Sequence, residues 1–227
     1  MLKRLCRGAS DPALLELACG GGRTARPLVV GKDKVEDLWL VGIDVGPRPL
    51  EVARRRCRNQ AQFVRADMMQ LPFRKGVFDG AFCVFGGFLS FPLAEAAKLL
   101  RMVRQILRPG GFLLIEFPSE HFLSGLDGFQ EWWVGSRSYA GDFPHVGLSE
   151  NFYYRKQRAY VRRDYVIDLR DGSCTELSQS HRVYSDVELS GLLERSGFNV
   201  RFCLGTWDEE PFDEQSPNLI VVADSEG

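Results

Sequence analysis

"LLELACGGGRTA", Leu14 to Ala25, decides how the rest of the chain is read. A short apolar run ends in three consecutive glycines, and a helix is expected from about Arg23. Glycine permits the tight turn that such a reversal needs, and it lets a ligand approach the backbone with no Cβ in the way. In doubly wound sheets this first turn borders the crevice where ligands bind. Pro27 removes an amide near the end of the first helical turn, so the helix is expected to be short or kinked.

The same alternation continues outward. Apolar runs at 13–19, 38–45, 62–67, 77–85 and 112–117 read as strands. Helices are expected at 47–59, where Pro49 is tolerated in the first turn, and at 91–107. Leu93, Ala96, Leu100, Val103 and Leu107 would form one buried stripe of that second helix, which Arg108-Pro109-Gly110-Gly111 stops. Strands that are apolar throughout and separated by helices indicate a parallel sheet covered on both faces. Near the end, Ser185 and Glu188 make a capping box for a helix over 186–196, and Gly197 closes it. "FNVRFCL" (198–204) and "NLIVVA" (218–223) are strands whose short connection, Gly205 to Pro217, leaves no room for a crossover. They are expected to pair antiparallel.

The expected fold is therefore α/β: a doubly wound, mostly parallel seven-stranded sheet with a terminal antiparallel hairpin. Between Glu120 and Val183 the periodicity breaks and aromatics abound. "RDGS" (170–173) signals a hairpin, so 148–184 reads as two or three inserted antiparallel strands and 120–147 as a long connection. Residues 1–119 and 184–227 would form the cofactor-binding domain, and 120–183 an inserted lid or substrate-binding segment.

Composition narrows the class. The chain has 227 residues and a formal net charge of −1, which offers no strong field for nucleic acid or an anionic membrane. No nucleic-acid or membrane partner is expected. Cysteines fall at 6, 19, 57, 83, 174 and 203, with no C-x-x-C spacing and no histidine beside them, so no metal site is expected. Reduced thiols point to a cytoplasmic protein. "MLKRLCRGASDP" lacks the apolar core of a signal peptide, and no run reaches membrane-spanning length.

Asp44 lies 22 residues after Gly22, at the end of the second strand. An acidic residue at that place can reach the two ribose hydroxyls of an adenosine, although it could instead cap the next helix. Gly20-x-Gly22-x-x-Ala25 also satisfies the dinucleotide pattern. The glycines alone leave a nicotinamide oxidoreductase open beside other adenosine-cofactor readings.

Further features discriminate. The frame Glu16-x-Ala18-x-Gly20-x-Gly22 resembles the first motif of the class I S-adenosylmethionine-dependent methyltransferases. "VRADMMQLPF", "FDGAFCVFGGF", "LRPGGFLLIEFPS" and the closing pair "SGFNVRFCLG" and "NLIVVAD" resemble the motifs that follow in that family, in the same order. "RVYSDVELSGLLERSGF" is similar to the small-molecule branch, the type 11 and type 25 domains. The resemblance covers about 12–118 and 184–224. It implies S-adenosylmethionine as cofactor, S-adenosylhomocysteine as product, and in-line methyl transfer to an amine or hydroxyl of a small molecule. It places Glu16, Ala18, Cys19, Gly20 and Gly22 around the methionine moiety, Asp44 and Val45 at the ribose, Asp67 and Met68 at the adenine, and Phe85 beside the methyl group. The sequence departs from the pattern in having Ala18 and Cys19 where many members have glycine and a small residue. Only about eleven residues precede the first strand, so either the insertion acts as lid or the cofactor site is more open. A nucleoside-binding protein without transfer activity is the non-catalytic alternative. A nucleic-acid methyltransferase is a further one, against which stand the near-zero charge and the missing Asn/Asp-Pro-Pro-Tyr/Phe motif.

Other candidates are each matched by a structural reading. Gly86 and Phe88 follow the fourth strand, where close approach of substrate would suit glycine. Asp79 is a buried polar residue or a functional one. Trp132, Trp133, Tyr153 and Trp207 are candidate substrate-binding residues, or fill a satellite core. His121, after the fifth strand, and His145, in the aromatic connection, are candidate bases; His181 reads as structural. The interleaved Arg155, Lys156, Arg158, Arg162 and Arg163 fit a half-exposed sheet better than a nucleic-acid surface.

Overall fold

Five residues buried on every side, Ala13–Leu17, form β1 at the centre of the first of two units. The computed structural model describes residues 1–6, 10–31, 34–136 and 141–226. The first unit is Met1–Pro118 with Ser185–Gly227, and the second is Ser119–Tyr184.

In the first unit α1 (Leu2–Leu5) precedes β1, and α2 (Ala25–Val29), β2 (Trp39–Asp44), α3 (Pro47–Arg56), β3 (Gln62–Arg65) and β4 (Phe78–Cys83) follow. A one-turn 3-10 helix, Gly87–Ser90, leads into α4 (Leu93–Ile106) and β5 (Leu107–Pro118). The second unit contributes α5 (Glu120–Gly125), β6 (Gln130–Gly135), β7 (His145–Tyr154), β8 (Ala159–Asp168) and β9 (Cys174–Arg182). The chain then returns to the first unit through α6 (Asp186–Glu194), β10 (Phe198–Leu204) and β11 (Asn218–Ser225).

The sheet of the first unit has seven strands in the order β10-β11-β5-β4-β1-β2-β3. β3, β2, β1, β4 and β5 run parallel, while β11 pairs antiparallel with both β5 and β10. The chain steps outward from β1 to β3, then crosses back to start β4 on the other side of β1. That reversal between β1 and β4 is the switch point at which open sheets gather ligands beyond their carboxyl ends. Ser185 caps α6 as its spacing with Glu188 predicts, its hydroxyl accepting from the Glu188 amide.

The buried stripe of α4 differs from the expected one in its ends. Ala96, Leu99, Leu100, Val103 and Ile106 are buried, whereas Leu93 is exposed and Leu107 already belongs to β5. Leu107 pairs with Phe78 of β4, and the register then shifts so that Gly80 lies opposite Phe112; the helix accordingly stops one residue early.

The second unit corrects the expected long connection. Residues 120–147 hold α5, β6 and the first residues of β7, while 137–140 lie outside the described residues. The span 148–184 holds three strands, β7, β8 and β9, within the two or three expected there, and β6, from the expected connection, adds a fourth to an antiparallel meander β6-β7-β8-β9. The Asp-Gly turn joins β8 to β9 as expected, with Gly172 at φ +75°.

Candidate functional site

The turn after β1 is built from residues that hold left-handed backbone: Ala18 at φ +52°, Gly20 at +50° and Gly22 at +68°. Two of the glycines serve different ends. A Cβ on Gly22 would lie 3.0 Å from the Ala53 Cβ and 3.1 Å from its Cα, so this glycine lets α3 close against the turn. A Cβ on Gly20 would meet nothing within 4 Å, which leaves that face of the turn open.

Asp44 ties the turn to the end of β2. One carboxylate oxygen accepts from the Gly20 amide at 2.9 Å and the other from the Gly46 amide at 2.8 Å. An ionised carboxylate offers about four acceptor positions, so Asp44 is oriented by two bonds and keeps two for a ligand. It lines a crevice of about 260 Å³ with Ala18, Val45, Asp67, Met68 and Gly87. Asp67 holds its own turn in shape, accepting from the Met69 amide at 2.8 Å.

A second crevice, of about 210 Å³, is lined by Glu16, Cys19, Gly20, Arg23, Thr24 and Phe85. Ala18 and Gly87 line both crevices. Glu16 projects from the all-buried β1 and is only 2% exposed. Burial pushes its carboxyl up from 4.5 to about 8, opposed by the Thr24 hydroxyl that hydrogen-bonds it and reinforced by the charge of Asp44. Its Oε2 is buried with no hydrogen-bond partner. A buried polar oxygen without a hydrogen-bond partner is costly to the fold.

Of the residues expected at a cofactor, Glu16, Ala18, Cys19, Gly20, Asp44, Val45, Asp67, Met68 and Phe85 line these two crevices, and Gly22 shapes the turn behind them. Sequence reasoning missed Arg23, Thr24 and Glu116. Arg23 stacks its guanidinium 3.6 Å above the Phe85 ring. Glu116, buried on β5, accepts from the Phe85 amide at 2.6 Å. The available signal for Glu116 was a lone acid inside the apolar run "FLLIEF".

The other candidates lie elsewhere in the two units. Phe88 is 1% exposed and stacks on Phe117 in the core of the first unit. His145 is not in a loop: it opens β7, fully buried, with Nδ1 2.5 Å from the Phe143 carbonyl and edge-on contacts to Trp133 and Phe143. His121 is exposed on α5. Trp132 and Trp133 are successive residues of β6 and so point to opposite faces. Trp133 donates to the Ser149 hydroxyl, while Trp132 is 72% exposed. Trp207 belongs to the first unit, while Trp132 and Trp133 belong to the second. Tyr153 donates to Glu120, which Arg158 also binds; burial and Glu120 push the phenol up to about 12. The basic residues of β8 are paired, Arg162 with Asp164 and Glu131, and Arg163 with Glu150 and Glu176. Asp79 accepts from the Ala13 amide and pairs with Arg108. Among the described residues no helix is long and apolar enough to cross a membrane.

Comparison with known proteins agrees with this geometry. Residues 14–111 match the family model described as a methyltransferase domain. A demethylmenaquinone methyltransferase of Thermus thermophilus is 37% identical over 109 residues, 46% of this chain and 47% of the relative. The match thus spans about half the length of that curated relative. An S-adenosylmethionine-dependent methyltransferase of Clostridium acetobutylicum superimposes with a TM-score of 0.79 at 15% identity, covering 100% of this chain and 89% of its own. The S-adenosylmethionine-bound amino pentose methyltransferase CalS10 of Micromonospora echinaspora gives 0.66 at 18% identity, covering 98% and 86%. At these identities the two solved structures show a shared fold. Residues 14–111, under half of the chain, thus resemble a methyltransferase domain, and the strand order matches the fold of the solved methyltransferases.

Proposed function

We propose that the chain binds S-adenosylmethionine across the two crevices and transfers its methyl group to an amine or hydroxyl of a small molecule. The observation that carries this reading is Glu16: a buried carboxylate oxygen with no partner, beside a glycine turn whose outer face is open. The residues fit the cofactor's chemistry. Asp44 has free acceptor positions for two ribose hydroxyls, and Asp67 and Met68 flank the same crevice for the adenine. Glu16 and Arg23 line the other crevice, where an amino-acid ammonium would draw Glu16 toward its ionised form and Arg23 is opposite in charge to the carboxylate.

When bound, the cofactor supplies a methyl group made electrophilic by its sulfonium. The chain's contribution is alignment and exclusion of water, because in-line displacement at carbon needs a nucleophile held at near-attack distance. A base is required only for an acceptor that arrives protonated. His121 is the histidine we assign to that role, since it is exposed directly after β5 while His145 is enclosed. The second unit is proposed to select the acceptor. The relatives' substrates by name, a demethylmenaquinone and an amino pentose, support a small molecule.

Thermal-shift measurement tests the reading. A ligand that binds the folded state alone stabilises it by about 2.7 kcal/mol at one hundred times its Kd. S-adenosylhomocysteine is expected to raise the melting temperature, with NAD and NADP having no effect. Stabilisation by NAD without stabilisation by S-adenosylhomocysteine would overturn it in favour of an oxidoreductase.

A further inference from the structure

Phe85 is the residue whose conformation asks for an explanation. It sits just beyond β4 at φ +58°, a region a bulky side chain adopts only when its surroundings impose it. Gly86 follows at φ +78°, so two successive residues turn left-handed before the 3-10 helix. One residue holds both. The Glu116 carboxylate accepts from the Phe85 amide at 2.6 Å, and the Glu116 carbonyl accepts from the Gly86 amide at 3.3 Å. β4 and β5 are adjacent parallel strands, with Cys83 opposite Ile115, which brings Glu116 level with the turn.

The turn also aims the ring. Phe85 is 54% exposed, yet its face is covered by the Arg23 guanidinium at 3.6 Å from the ring centre. Arg23 comes from the opposite wall, directly after Gly22. Arg23, Phe85 and Glu16 line the same crevice. The ring is therefore a rest for an otherwise flexible, exposed arginine, worth more in fixing its direction than in stability.

We infer that Glu116 is a positioning residue: by holding Phe85 in the left-handed turn, it sets the ring that fixes Arg23 toward the amino-acid end of the cofactor. This rests on the reading that the crevice takes S-adenosylmethionine or its product. Glu116 itself touches neither. Burial pushes the Glu116 carboxyl above its ordinary range, opposed first by the Phe85 amide it accepts from and then by the Arg23 charge.

The test compares two ligands by calorimetry: S-adenosylhomocysteine, and 5′-methylthioadenosine, which lacks the amino-acid end. Glu116→Ala and Arg23→Gln are each expected to weaken S-adenosylhomocysteine about tenfold or more and to leave methylthioadenosine within about twofold. The double variant is expected to be no weaker than the weaker single, because both remove one arrangement. Glu116→Gln keeps an acceptor for the Phe85 amide and is expected to restore most of the affinity. Phe85→Leu leaves β5 intact and is expected to show the same ligand-selective loss, so the inference stands or falls even where Glu116→Ala does not fold. Equal losses for both ligands, additive losses, or no loss would overturn it. Wild-type protein that binds neither ligand would instead overturn the cofactor reading.

Discussion

Replacing Glu16 by glutamine should make the empty protein more stable and the cofactor weaker. The carboxyl is buried in β1 and its pKa is raised from 4.5 to about 8, chiefly by burial. Above pH 4.5 the unfolded chain releases this proton, whereas the folded chain keeps it until about pH 8. The folded state thus holds more protons across that window, and its stability falls as pH rises. Raising a pKa by one corresponds to about 1.4 kcal/mol, so the full penalty at pH 8 approaches roughly 5 kcal/mol. Glutamine has no proton to lose and can still accept from the Thr24 hydroxyl. Urea denaturation of both proteins at pH 5, 6, 7 and 8 isolates the effect, since every other titrating group is common to the pair. The stability gap, variant over wild type, is expected to widen by up to about 1.4 kcal/mol per pH unit and to level off above pH 8. A gap that stays constant over the range would refute the reasoning. The same variant should lose affinity for S-adenosylhomocysteine, because the bound ammonium can draw a proton off Glu16 but not off an amide. This is stability surrendered for a functional charge.

Three further outcomes are expected. Asp44→Asn keeps one oxygen to accept but loses the charge, and should weaken S-adenosylhomocysteine by about 1.5–3 kcal/mol in a calorimetric titration. Gly22→Ala should cost the fold more than Gly20→Ala in a denaturation series: both lose about 1–2 kcal/mol to left-handed backbone, but only Gly22 has Ala53 within 3.0 Å of a new Cβ. Gly20→Ala, whose methyl enters open space, should instead show its loss in cofactor affinity. Trp133→Ala removes the packing against His145 and the bond to Ser149, and should lower stability by about 2 kcal/mol or more, while Trp132→Ala, 72% exposed, should change it by under about 0.5 kcal/mol.

The seven-stranded sheet was legible because its strands are local apolar runs with clear interruptions. The antiparallel end could be read from the shortness of the Gly205–Pro217 connection alone. The crevice end was legible for a similar reason: Glu16, the glycines and Asp44 sit at strand ends whose neighbours are fixed by the order β4-β1-β2. What failed depends on pairings distant in sequence. β6 carries two tryptophans and few apolar alternations, and it is a strand because β7 pairs with it from Trp132 opposite Leu148 to Gly135 opposite His145. That pairing also buries His145, which no local pattern announces. Glu116 and Phe85 lie 31 residues apart and meet only through the register of β4 with β5. Arg23 looked like the start of a helix, and its stacking on Phe85 follows from the turn rather than from spacing.

Calorimetric titration of S-adenosylhomocysteine into the wild-type chain and into Glu16→Gln and Asp44→Asn tests the central claim most directly. The account predicts one site per wild-type chain and a marked loss of affinity in each variant. An absence of binding to the wild-type chain, or undiminished binding to both variants, would contradict it.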